Sequence, residues 1–582
     1  MLLAAAIALA SVLVYLGTIA GGYPLDDEIQ VANNVYIRNL QGAFAIFGRA
    51  TWPGYVYRPL PTLTYALTYA LVGADPWLYH LTSILLHAAA AVLVFFVLRR
   101  IFADRLAAIA ALLFAVHPAH VEAVASIANR TELLVAVCGL AGILVVLPAA
   151  HRRVRGTAEV GARILLGAVL FLAALLAKES AVALLLLLPL IIVTRKEVTL
   201  REVRGATLLR ESWPGGIAFA LALAAYFLAR SQVLTRMFAG DEIAPIDNWL
   251  VTLSPFGRMV HAFALLGRYV SILLVPHGLS ADYSSATVGV TRDLLAPDSL
   301  LYLMLACGVA LIVVVGWVRA SKTLLFIGGW FLLSFAVTSN LAFPIGVVFA
   351  DRLAYLPSVA ICASLAWLLV HVPSAPVRQA AVAGLALLFS VVTVAYGGVW
   401  HDNHSLFLYE LRTSPESAWV HAGLGNELLR AGAFDAARQE YREALRIYPA
   451  HTHAAHGIAL IELAEGNQAA GQVWLERALE FDPGFAPSLN ALGYLRLADG
   501  QVDEAGRLFV RALNADEGSV DARVGILSAT LRRGNLTKAA ALRDELTALD
   551  ASRPDVRRLS QELDEQMAAA SAGGASSKGG PG

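Results

Sequence analysis

Cysteine and charge are both scarce in this chain. Its 582 residues include three cysteines, Cys138, Cys307 and Cys362, each inside an apolar run, so no disulfide framework organises the fold. Only 15% of residues are charged against 58% hydrophobic, whereas a soluble domain carries about a quarter charged. That shortage argues against a water-soluble protein and makes the bilayer the solvent. A basic excess is missing too. From Trp400 to Gln566 there are 25 Asp and Glu against 17 Lys and Arg, so nucleic acid, which requires a basic face, is not an expected partner. The first apolar run, Leu2 to Ile19, lacks a basic n-region and a cleavage site before Tyr23, and reads as a retained helix rather than a signal peptide.

What is present is a succession of apolar runs near membrane length up to about Trp400. After the first they fall near 80–98, 106–118, 131–149, 163–177, 181–193, 215–230, 299–317, 323–340, 352–371 and 379–398, which makes about eleven spans. Basic residues mark one side of the short loops: Arg99, Arg100 and Arg105; Arg152, Arg153 and Arg155; Arg195, Lys196, Arg201 and Arg204; Arg319 and Lys322. Those loops are expected to be cytoplasmic. Everything after residue 399 then lies on the far side, provided that the run 258–275 is re-entrant or interfacial.

Beyond Trp400 a period of 34 residues appears by subtraction. Gly425, Ala459 and Gly493 keep it, as do Ala437, Gly471, Ala505 and Ala539, and Ala444, Ala478 and Ala512. Small residues at these steps, with Tyr441, Leu475 and Phe509 as large neighbours and Pro449 and Pro483 closing the unit, are the pattern of tetratricopeptide repeats. About four repeats are expected, ending in a degenerate one at 520–553. The expected fold class is all-α: a polytopic helical membrane domain at 1–399, a repeat α-solenoid at 400–566, and a Gly- and Ser-rich disordered tail at 567–582.

Charged groups at membrane depth are expensive and point to function. The far side carries many. Tyr23-Pro-Leu-Asp-Asp-Glu28 follows the first run, and adjacent acids raise one another's pKa, which suits a group that takes a proton from a hydroxyl. Tyr57-Arg-Pro-Leu60 comes next, then His80 and His87, His117-Pro-Ala-His120-Val-Glu122, and Asn129-Arg130-Thr-Glu132. Lys178-Glu179 and Asp351-Arg352 sit between runs with no aqueous loop around them. Such cations can hold a lipid-linked phosphate. The bland readings are an interfacial acidic turn and mutual ion pairing. His120 and Glu122 lack a metal site's fixed spacing, so no metal ligand is assigned, while a divalent cation remains open as a cofactor.

In this order the motifs resemble the transmembrane and tetratricopeptide-repeat O-mannosyltransferases and their bacterial relatives. The matching segments are Leu25-Asp-Asp-Glu28 with Asn33, Tyr57-Arg-Pro-Leu60, His80 and His87, His117 to Ala123, Asn129 to Glu132, Ala177-Lys-Glu179 and Asp351 to Pro357. The resemblance implies a C-type glycosyltransferase that moves a sugar, mannose in the named family, from a polyprenyl or dolichyl phosphate to Ser or Thr of a protein. It places the general base at Asp26 or Asp27, with Glu28 secondary. Arg58, Lys178 and Arg352 would hold the lipid phosphate, and His80, His117, His120, Glu122 and Glu179 would line the cavity. The partners it implies are the lipid-linked donor, membrane lipid, and an acceptor protein or peptide in the repeat groove. The Ala- and Arg-rich composition suggests a bacterial inner membrane with periplasmic repeats. The competing readings are a non-enzymatic, membrane-anchored repeat scaffold for envelope proteins and a ligase or polymerase of lipid-linked glycans.

Overall fold

The computed structural model describes residues 1–38, 40–51, 56–147, 156–195, 205–234, 243–283, 293–551 and 553–576. The basic residues Arg152, Arg153, Arg155, Lys196, Arg201 and Arg204 lie outside them. The described residues are helical, with a single isolated bridge between Thr51 and Val56. The chain divides into two units. One comprises Met1–Asn33 and Ile37–Ser417, the other Asn34–Tyr36 and Ala418–Gly582.

Among the described residues of the first unit, six helices are long and apolar enough to cross a bilayer: Leu2–Ala20, Trp77–Leu98, Thr157–Ala177, Ser212–Val233, Pro297–Val318 and Ala375–Val399. The bent pair Asp104–Ala115 and Pro118–Ala125, broken by 54°, makes at most a seventh. The expectation of about eleven spans is thereby corrected. Several apolar runs are shortened by the polar motifs that bound them. Lys178 adopts an extended conformation and ends the Thr157–Ala177 helix, leaving Ala183–Thr194 with 12 residues. Lys322–Ser334 and Ser358–Val370 have 13 each, short of the roughly 20 that a bilayer core asks for. Residues Pro255–Leu274 form one helix that does not count among the spans.

Close approach between helices depends on small residues, as expected where lipid removes the hydrophobic drive for association. A Cβ on Gly267 would run into the backbone of Tyr302, so Pro255–Leu274 and Pro297–Val318 touch at that glycine. Near the end of this unit, Glu410 accepts from the Ala281 N–H at 2.8 Å and from the Ser280 hydroxyl, pinning the segment before Tyr283.

The second unit is a run of helix pairs: Ala418–Arg430 with Phe434–Ile447, Thr452–Ala464 with Gln468–Phe481, Ala486–Ala498 with Val502–Ala515, and Val520–Arg532 with Leu536–Asp550. A last helix, Pro554–Ser576, extends into the stretch expected as a disordered tail, and 577–582 lie outside the described residues. The turn inside each pair ends on a glycine with positive φ, Gly432, Gly466, Gly500 and Gly534, a conformation that side-chain-bearing residues avoid. These four keep the same 34-residue step. Tyr441 fills the space beside Gly425 and Gly457, and Phe509 that beside Gly493 and Gly525, so each large ring packs where two first helices lack a Cβ. Val35 joins the core around Val520, Val524 and Leu527, and Tyr36 donates to the Glu517 carbonyl at 2.9 Å.

Candidate functional site

The acid segment enters after the first span through a strained turn. Leu25 has φ 51°, uncommon for a residue with a bulky side chain. Its N–H donates to Asn403 Oδ1 at 2.7 Å, and the Gly22 N–H donates to the His401 carbonyl at 2.8 Å. A π-helical turn, Glu28–Ala32, follows the acids directly, a feature frequent at functional sites.

The two aspartates have different surroundings. Asp27 is fully buried, and its carboxylate accepts from the Ser126 hydroxyl at 3.0 Å, the Ile127 N–H at 2.8 Å and the Ala128 N–H at 2.6 Å. Both oxygens are occupied in holding the 126–128 turn. Burial pushes its pKa up to about 7, against the pull of those donors. Asp26 is exposed to solvent, although protein surrounds it closely enough to raise its pKa, while Arg352 pulls it down. Glu28 is half-buried.

The cations come from four separate elements, and each meets an acid. Lys178 pairs with Glu132, and it lies within electrostatic reach of Arg58 and Arg352. Arg352 receives both oxygens of Glu122: its backbone N–H donates to one at 2.7 Å and its guanidinium to the other. Glu122 is 1% exposed at its side chain, so Arg352 carries its counter-charge on the inside. Arg58 donates to Glu179 Oε2 at 3.0 Å through Nε, and Arg230 donates to the other Glu179 oxygen at 3.2 Å. Arg230 also meets the Tyr226 hydroxyl at 3.1 Å. Sequence reasoning missed Arg230 because it closes an apolar run and reads as a flanking charge. The usable signal was Tyr226, one turn earlier on the same helix face. Arg130 is buried, donating to the Tyr79 carbonyl, Thr64 and Ser83 while lying over the Tyr65 ring.

The histidines stand apart from this accessible cluster. His87, His117 and His120 are fully buried. His87 Nε2 donates to the Ala115 carbonyl at 3.0 Å and Nδ1 accepts from the Tyr355 hydroxyl at 2.7 Å; His117 Nε2 donates to the Leu273 carbonyl at 3.0 Å. His120 Nε2 donates to Ser358 Oγ at 2.8 Å, because that hydroxyl is already spent on the Tyr355 carbonyl. His80, also buried, donates to the Gly22 carbonyl at 3.0 Å just ahead of the acid segment. Among the described residues no group of three or more His, Cys, Asp or Glu is placed to hold a metal ion.

No family model matches the chain. A Caenorhabditis elegans protein O-mannosyl-transferase, F38B6.6, is 27% identical over 464 residues, covering 76% of this chain and 62% of the relative. Human TMTC1 is 27% identical over 515 residues (79% of this chain, 56% of the relative), and human TMTC3 25% over 496 (79% and 53%). These relatives are named protein O-mannosyl-transferases. They are the family that the motifs resemble, and this chain spans between half and two thirds of their lengths. Among solved structures, YrrB, a TPR protein with an unusual peptide-binding site, is 17% identical with TM-score 0.22 over 31% of this chain and 89% of its own. The Cut9–Hcn1 hetero-tetramer of APC/C gives 12% and 0.27 over 87% and 89%. Scores this low carry no argument; the repeat fold rests on the helix pairs themselves.

Proposed function

We propose that the chain is an integral-membrane protein O-glycosyltransferase, with mannose as the sugar its relatives' names suggest, drawing on a polyprenyl-phosphate donor. Asp26 is the general base. The observation that supports this most directly is the contrast between the adjacent acids: Asp27 has both oxygens filled by the 126–128 turn, whereas Asp26 is open to solvent and senses Arg352. A base must reach the hydroxyl it deprotonates. Lys178, Arg352 and Arg58, each steadied by a carboxylate, supply positive charge for the donor phosphate, and Arg230 is added to that set. Each cation is paired with a carboxylate, and for the arginines a guanidinium has five N–H groups to distribute. In this reading the acids and the repeats both lie on the non-cytoplasmic side.

The deciding experiment is sugar transfer from polyprenyl-phosphate mannose in detergent. Asp26→Asn lowers turnover by about 10² or more and leaves donor binding and melting temperature near wild type. Asp27→Asn lowers the melting temperature, because an amide cannot accept all three bonds. A wild-type rate in Asp26→Asn removes the base assignment, and wild-type rates in both single variants and the double variant favour the scaffold reading.

A further inference from the structure

The turn that carries Arg352 is too short to hold itself. Asp351–Ala354 is a single 3-10 turn entered from an extended Ala350, and the hydrogen bonds of such turns have poor geometry. Partners from elsewhere in the membrane unit set its position. The Ala350 N–H donates to the Tyr269 hydroxyl at 3.1 Å, and that hydroxyl donates to the Ala350 carbonyl at 3.2 Å. The Tyr269 ring stacks on Phe349 with centroids 3.9 Å apart, and Glu122 takes the Arg352 N–H at 2.7 Å. A third hold falls on Asp351, which is fully buried and accepts from the Tyr283 hydroxyl at 2.8 Å through Oδ1. Asp351 has no task in the donor site proposed above, yet it is the chain neighbour of Arg352.

Tyr283 is itself gripped. Its hydroxyl accepts from the Ser280 N–H at 2.9 Å, and its proton goes to Asp351 at 2.8 Å in preference to the Gly278 carbonyl at 3.3 Å. Arg268, the neighbour of Tyr269 on Pro255–Leu274, lies over both the Tyr283 ring at 4.9 Å and the Phe349 ring at 4.8 Å. The residues just before Tyr283 are fastened to the helix Asn403–Thr413. There the Tyr409 hydroxyl donates to the Leu279 carbonyl at 3.1 Å, and Glu410 takes the Ser280 hydroxyl and the Ala281 N–H. Residues 278–283 thus form a strap. One end is fixed to the helix that follows the last span, and the other to the carboxylate beside Arg352.

We propose that Tyr283 is a positioning residue for the donor site: through Asp351 the strap 278–283 fixes the turn from which Arg352 meets the donor phosphate. This rests on the proposed function, in which Arg352 is one of the phosphate-holding cations. Arginine grips a phosphate through paired N–H groups in a set geometry, so its grip depends on where its backbone stands, and a shift of about 1 Å in such a group is costly. The bond from Tyr283 holds position rather than charge. An amide oxygen accepts from a hydroxyl as a carboxylate oxygen does, which lets the two contributions be separated.

The test uses the full chain in detergent, with polyprenyl phosphate as the binding probe and polyprenyl-phosphate mannose as the donor for transfer. Tyr283→Phe, which deletes only the hydroxyl, raises the Kd for polyprenyl phosphate and the donor KM about tenfold, and leaves kcat at saturating donor within about twofold of wild type. Asp351→Leu does the same, and the double variant is no worse than either, since both remove one bond. Asp351→Asn keeps an acceptor for the hydroxyl and stays near the wild-type Kd. Glu410→Ala frees the strap at its other end and weakens binding by a smaller factor. A wild-type Kd in Tyr283→Phe beside a lowered melting temperature marks a bond that only stabilises the fold, and overturns the proposal. So do losses that add in the double variant, or a Kd in Asp351→Asn as high as in Asp351→Leu. Where Tyr283→Phe does not fold, Glu410→Ala carries the same test, and an unchanged Kd there overturns the strap. If the wild type binds no polyprenyl phosphate, the proposed function falls; if it binds and Tyr283→Phe binds equally, this inference alone does.

Discussion

Two polar clusters in the membrane unit are built from residues that look alike in the sequence and differ in access. Around Asp26, Lys178, Arg352 and Arg58 charges are paired yet partly open to solvent. Around His87, His117 and His120 each histidine has an assigned donor and partner, and every ring is sealed in. The comparison teaches that polar residues at membrane depth differ in access to solvent even where their hydrogen bonding looks alike. In the open cluster Asp26 reaches solvent; in the sealed one the three rings are fully buried, His120 Nδ1 having no partner among the described residues.

The largest expected separation between the clusters is in rate. Asp26→Asn costs about 10² or more in turnover, whereas His87→Phe leaves kcat per folded molecule near wild type. The histidine variant lowers the melting temperature instead, since the Ala115 carbonyl and the Tyr355 hydroxyl each lose a buried partner at about 1–3 kcal/mol. Per-molecule activity lost in His87→Phe at unchanged donor binding would place the histidines in the chemistry and break the comparison.

Next in size is the Arg352–Glu122 pair. Arg352→Gln leaves a carboxylate of 1% exposure without its counter-charge, a loss of about 3–5 kcal/mol. Thermal unfolding should show the double variant with Glu122→Gln recovering part of that loss. If the two single variants add without recovery, the inner pairing is not what steadies the cation.

A smaller effect concerns pH. The protein packed around Asp26 raises its carboxyl more than Arg352 lowers it, so the acidic limb of kcat/KM lies above the ordinary carboxylate value near 4, and activity falls on acidification sooner than a free carboxylate would dictate. A limb at or below about 4 would show the opposing guanidinium to be dominant.

The smallest is a stability effect at Glu410, which burial raises to about 7. Its folded form binds a proton more tightly than the unfolded chain does. Stability is therefore greatest below the unfolded carboxylate value near 4.3 and is lost as pH rises through about 7. Glu410→Gln should flatten the melting temperature over that window; an unchanged slope assigns the dependence elsewhere.

The sequence shows the repeats clearly because their spacing is covalent: small residues recur wherever two helices touch. The four turn glycines that share this period were available in the same way and went unread. Spans were overcounted because hydropathy cannot tell a crossing helix from a buried one cut short by Lys178 or Asp351. Asp26 and Asp27 could not be separated either, since what distinguishes them is a turn 100 residues further along the chain. Arg230 escaped for the same reason, its carboxylate partner Glu179 lying on another element.

The strained turn at Leu25 also bears on the order of assembly. The acids precede in the chain the residues whose bonds hold their turn, His401 and Asn403, with a sequence separation of 378 residues for Leu25. During synthesis the carboxylates reach the membrane long before their anchors exist, and a contact this distant closes late. A nascent chain halted before Asn403 has its acids without the bonds that fix their turn.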